Sequence, residues 1–140
     1  MNSTFYEEIG GMDTVGKVHS LLYERLLSHS WLKQFFDGFE RWHLEIQQNE
    51  FMADLFGRTP RNYAGRAPMR AHQHMFISEE IFMIRHSLLQ ESISAAGLSD
   101  EIAKRWLEYD LSMKPALVKE TVDDCEGRFP TEEIVICPKP

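Results

Sequence analysis

Residues 13–28, Asp-Thr-Val-Gly-Lys-Val-His-Ser-Leu-Leu-Tyr-Glu-Arg-Leu-Leu-Ser, decide the fold class. Val15, Val18, Leu22 and Leu26 recur at steps of three, four and four, the period of one buried helix face. Asp13 is expected to cap this helix. Upstream, Thr4-Phe5-Tyr6-Glu7 fits a capping box, and Gly10-Gly11 stops a first short helix. Downstream, Trp31 to Phe36 is a short apolar piece stopped by Asp37-Gly38. A third helix is expected from about Phe39 to Phe56, with Leu44, Gln48, Phe51 and Leu55 on one stripe and Gly57 at its end. Residues 57–68 form a Gly/Pro-rich loop carrying Arg58, Arg61 and Arg66. A turn or short helix then holds Met69 to Phe76. Ser78 opens a helix closed by Gly97, and Ser99-Asp100 opens the last, with Ile102, Trp106, Tyr109 and Met113 on one side. Pro115 should kink it or mark its end. Beyond Thr121 the chain turns polar, with one β-like run at Ile134-Val135-Ile136. The chain therefore reads as all-α.

With 140 residues, the chain is the size of one domain. Its 22 acidic and 15 basic side chains leave a formal charge of −7, which argues against a general nucleic-acid partner. No apolar run approaches a membrane span, and MNSTFYEEIGG lacks the pattern of a signal peptide, so a cytoplasmic address is expected. Cys125 and Cys137 are expected to be free thiols.

No phosphate loop, nucleophile elbow or His-Glu-x-x-His is present. Glu40-Arg41-Trp42-His43 matches the Glu-x-x-His of di-iron bundles, but that site needs the motif twice and there is no second copy. Two polar side chains sit on or beside apolar stripes, Tyr23 on the second helix and Gln48 on the third. Either both are half-buried and satisfied by backbone or water, or both point into one cavity and bond to something that is not protein. His72 stands between a basic loop and the apolar run Met75-Phe76-Ile77. A histidine on a short element between long apolar helices suits haem iron, and Arg58, Arg61, Arg66 and Arg70 could meet haem propionates.

These residues together resemble a truncated haemoglobin, the two-on-two helical globins, from about Phe5 to Lys119. Tyr6 to Gly11 resembles the opening helix and its glycine pair. Leu22 to Leu27 is similar to the motif carrying a distal tyrosine, at Tyr23. Phe35-Phe36-Asp37-Gly38 resembles the corner whose phenylalanine packs on haem, here Phe36. A gap-free count from there places Leu44 at the distal gate and Gln48 at the distal glutamine. His43 then faces outward, towards the haem edge or solvent, whereas a rotation of the helix or a one-residue slip at the Asp37-Gly38 corner would aim it at the iron. Tyr63-Ala64-Gly65 and Pro68-Met69 look like the loop before the proximal helix, and His72 precedes Ile77 by five residues, as the proximal histidine does. His74 is a nearby rival whose spacing fits less well. Arg58 replaces a glycine of the family pattern, and Arg85 falls where relatives carry valine or tryptophan in the haem pocket.

The resemblance implies an all-α two-on-two globin domain over residues 1–120, with a tail, 121–140, of unknown role. It implies one b-type haem, with His72 as iron ligand and Phe36, Leu44, Phe51, Arg58, Tyr63, Arg70, Phe76 and Phe82 around the cofactor. Tyr23, Gln48 and Gln47 would meet a distal ligand. The implied function is reversible binding of dioxygen, CO or NO, including oxygen transport. Nitric oxide dioxygenation or peroxidase chemistry is also permitted, with peroxide as a ligand and a reductase as partner. The chain would be a monomer or weak dimer. The alternative reading of the residues is a non-haem helical module that binds a metal or a protein.

Overall fold

The computed structural model describes residues 3–140; the first two residues of the expected 1–120 domain lie outside them. The helices are α1 (Phe5–Glu8), α2 (Gly11–Ser28), α3 (Arg41–Leu55), α4 (Pro68–His72), α5 (Glu79–Ala95), α6 (Asp100–Ser112) and α7 (Lys114–Leu117). Short 3₁₀ turns lie at Leu32–Phe36 and Val122–Asp124. Among the described residues the expected β-like run amounts to one parallel bridge, Val135 with Met75.

The helix ends follow local chemistry. Thr4 and Glu7 close the capping box, and Ser78 and Ser99 each accept from the backbone N–H three residues on, at 3.2 Å. Asp13 is not the cap of α2. Gly10 and Gly11 have φ of +104° and +68°, a left-handed path that reverses the chain and lets the helix start three residues earlier. Asp13 then lies exposed in the first turn, where its charge complements the positive end of the helix dipole. The end of α3 also needs its glycine. Gly57 has φ +106°, and a Cβ there would meet Thr4 Cβ at 2.8 Å. The expected last helix is divided: α6 ends at Ser112, and Pro115 sits in the first turn of α7, where no N–H is required.

Helix α2 packs on both α3 and α5, and α5 packs on α6. This is the two-on-two helical arrangement. The predicted stripe Val15, Val18, Leu22 and Leu26 is buried at its centre. Trp106 is wholly enclosed, edge-on to Phe56 at 4.8 Å between ring centroids and to His19 at 5.9 Å. Truncating an aromatic ring in such a place costs about 3–5 kcal/mol. His19 links α2 to α3 through Nδ1 and Asn49 Oδ1 at 2.6 Å, and burial pushes its pKa down to about 4. It is therefore a neutral, paired core histidine.

After α7 the chain runs back across the segment around α4. Lys119 N–H donates to Ile77 O, Glu126 N–H to Gln73 O and Val135 N–H to His74 O, while Phe76 N–H donates to Val135 O, all at 2.8–2.9 Å. The strap then reaches Trp31, whose Nε1–H donates to Cys137 O at 2.8 Å. Both cysteines are free.

Candidate functional site

A cavity of about 790 Å³ opens between the α2–α3 side and the α4–α5 side of the fold. Its walls are mainly apolar, from Leu22, Leu26, Phe35, Phe36, Leu44, Phe51, Ile81 and Phe82, with a few polar groups set among them. That combination of size and lining is typical of a cofactor site.

His72 comes from α4, a single turn that Pro68 starts with its fixed φ. Its Nδ1 lies 2.8 Å from Pro68 O, one turn back. A carbonyl only accepts, so Nδ1 carries the proton and Nε2 keeps its lone pair. Burial lowers the pKa of His72, with the Pro68 hydrogen bond opposing in part. The ring is neutral near pH 7, as a metal-ligating imidazole must be. Lys119 Nζ donates to His72 O at 2.6 Å, which ties the backbone of the same residue to the C-terminal strap.

The rival, His74, also reaches the cavity wall but is more deeply buried. Its Nε2 lies 3.9 Å from Glu132 Oε2, and its buried Nδ1 has no partner. Burial is the main cause of its lowered pKa, followed by the charge of Arg128.

On the α2–α3 side, Tyr23 and Gln48 line the same cavity, and neither polar end is a buried group left without a partner. Of the two sequence readings, this geometry matches the one in which both face a shared space. Burial pushes the Tyr23 phenol up to about 12, so it stays protonated and can donate. Phe36 packs edge-on to it at 5.7 Å. Leu44, Gln47 and Phe51 also line the cavity, and His43 reaches it from an exposed position at the rim.

Tyr63 is placed on the wall by an acidic residue that the sequence reading did not single out. The Asp54 carboxylate accepts from Tyr63 N–H at 2.8 Å and Asn62 N–H at 2.9 Å, and it pairs with Arg58 at 2.7 Å. Tyr63 then stands edge-on to Phe51 at 5.2 Å, and its hydroxyl donates to Arg66 O at 2.6 Å. Arg58 is spent in this brace, reaching Glu50 at 2.6 Å as well, and does not line the cavity. Arg70 donates to Arg128 O at 3.0 Å and Phe76 is turned aside by its pairing with Val135; neither lines the cavity. Phe82 does, wholly buried, with the Arg85 guanidinium 5.1 Å above its ring. The arginines on the wall are Arg66, Arg85 and Arg128.

A model of the bacterial-like globin family matches residues 4–117. The chain belongs to that family. This globin is 25% identical to a group 1 truncated haemoglobin of Tetrahymena thermophila over 125 residues, 89% of this chain and 96% of that one. It is 27% identical to one of Nostoc commune over 118 residues, 84% and 99% of the two chains. Its fold superposes on the Fe(III) truncated haemoglobin of Tetrahymena pyriformis with a TM-score of 0.77 at 23% identity, covering 84% of this chain and all of the other. The haemoglobin of Chloroflexus aurantiacus gives 0.76 at 21%, covering 85% and all of it.

The residues present fit a haem, as the family implies. The cavity is apolar enough for a porphyrin, His72 offers a free lone pair from a fixed tautomer, and Arg66 and Arg128 offer positive charge to carboxylates. The signal for Arg128 was hidden, since it lies in a tail outside the matched region. Arg85 was expected at the haem pocket through the resemblance, but the Asp110 carboxylate behind it was not.

Proposed function

We propose that this globin holds a b-type haem through His72 and reversibly binds diatomic ligands, dioxygen foremost, beside Tyr23 and Gln48. The observation that carries the reading is the His72–Pro68 hydrogen bond, which leaves an unprotonated nitrogen on a neutral ring at the wall of a large apolar cavity. The haem would supply an iron centre that binds dioxygen, CO or NO. Tyr23 donates its O–H to the guest, which gains most where the guest carries partial negative charge. Gln48 adds a second donor from its amide, Leu44 and Phe51 exclude water, and Gln47 and His43 border the entrance. Arg66 and Arg128, on the cavity wall, would offer positive charge to the carboxylates of the tetrapyrrole.

The non-haem metal reading finds no ligand set: among the described residues no three His, Cys, Asp or Glu side chains form a metal-holding group. Among the described residues no helix is long and apolar enough to cross a membrane. The test is the optical spectrum of purified ferric, ferrous and CO-bound protein. A Soret band that shifts with CO supports the reading, and colourless protein after haem reconstitution overturns it.

A further inference from the structure

The charge on the cavity wall is of one sign. Among the described residues Arg66, Arg85 and Arg128 line it and no Asp or Glu does, in a chain whose net charge is −7. Cations gathered on one concave apolar surface of an acidic protein point to a guest of opposite charge.

The three arginines fall into two groups. The Arg66 carbonyl accepts from the Tyr63 hydroxyl and Arg128 pairs with Glu132, so they belong to the loop-and-strap end. Arg85 acts elsewhere. It comes from α5 and lines the same cavity as His72 and Tyr23, and its charge opposes the burial-driven rise of the Tyr23 phenol. It therefore shares the cavity with the iron-ligand candidate and stands within electrostatic reach of the distal phenol.

Arg85 is also fixed. Its guanidinium donates to Asp110 Oδ1 at 2.5 Å, and the other oxygen of Asp110 accepts from His86 Nδ1 at 2.7 Å. Asp110 is almost wholly buried, so the carboxylate is a rigid anchor behind the wall. Arg85 stands over the Phe82 ring, and none of its remaining nitrogens is a buried donor without a partner. A guanidinium has five N–H donors, and the Asp110 contact leaves several for a guest.

We propose that Arg85 makes this cavity a site for small inorganic monoanions, the class that includes azide, nitrite and the hydroperoxide anion, with the guanidinium donating to the anion beside Tyr23. Asp110 is a positioning residue: it holds the guanidinium without reaching the guest. The inference rests on the haem reading above, because the anion is read out at the iron.

The experiment titrates ferric protein with sodium azide and with neutral imidazole, and ferrous protein with CO, in wild type, Arg85→Lys and Arg85→Leu. The expected result is an azide-to-CO affinity ratio at least tenfold lower in Arg85→Leu, with imidazole affected far less than azide and Arg85→Lys keeping most of the ratio. If Arg85→Leu does not fold because Asp110 is stranded, Arg85→Leu with Asp110→Asn removes the buried charge and takes its place. An unchanged azide-to-CO ratio overturns the proposal. Unchanged azide with faster haem loss overturns it too, and assigns the guanidinium to a haem carboxylate. Protein that binds no haem sinks the haem reading itself, and is told apart by the missing CO signal.

Discussion

His72 Nδ1 lies 2.8 Å from the carbonyl oxygen of Pro68, four residues earlier, while His74 Nε2 lies 3.9 Å from the Glu132 carboxylate. One histidine presents a free nitrogen to the cavity and the other turns a nitrogen towards the strap. Replacing His72 by Ala should therefore abolish stable haem binding, whereas His74→Ala should retain a Soret band. Haem titration of the two apoproteins checks this, and the reverse pattern would place the ligand two residues later.

Tyr23 reaches the cavity as a protonated phenol with no competing buried bond. Tyr23→Phe should speed oxygen dissociation about tenfold, the equivalent of about 1.4 kcal/mol. Gln48→Leu should add less in the Tyr23→Phe background than alone, because two donors on one guest couple. Stopped-flow oxygen release by the two single variants and the double variant measures it.

His43 stands at the rim, one residue before Leu44, so the two side chains diverge by about 100° around α3. Ligand-free ferrous protein should be five-coordinate in its visible spectrum. Sharp six-coordinate bands that disappear in His43→Ala would mean that α3 is rotated by one position.

Burial holds His19 neutral, at a pKa of about 4 against 6.5 in the unfolded chain. In that interval the unfolded state binds more protons, so stability contributed by His19 is complete above pH 6.5 and falls as the pH drops towards 4. The loss at this one group is about 3 kcal/mol. Urea unfolding at a series of pH values should show this slope in wild type and a shallower one in His19→Gln.

Val135 N–H donates to His74 O at 2.8 Å. Val135→Pro removes that donor while Val135→Ala keeps it, a difference of about 1 kcal/mol. Haem transfer to an apoglobin acceptor should be about fivefold faster from Val135→Pro than from Val135→Ala. Equal rates would show that the strap does not hold the haem-side segment.

Tyr23, Gln48 and Leu44 were legible because the helical period says which face each residue takes, and a polar group on an apolar face stands out. The resemblance pointed to His72 through its spacing to Ile77, and α4 sets that residue on the cavity wall. Arg58 was misread because an arginine in a basic loop looks free until Asp54, four residues earlier, claims it. Arg85 and Asp110 are 25 residues apart, on α5 and α6, so their pairing exists only once those helices pack. The cap of α2 was placed three residues late, at Asp13, because a glycine's left-handed path leaves no trace in polarity.

The family match stops at residue 117, yet the strap beyond it touches the segment just after α4 largely through peptide groups. Comparison of sequences weighs side chains, and a peptide group is the same under almost any of them. The strap can therefore drift in composition while keeping its path, with proline as the substitution most strongly barred at its donor positions. Kinship in this part of the molecule should be sought by tracing the course of the backbone, since two globins could share the strap and show no similarity of letters there at all.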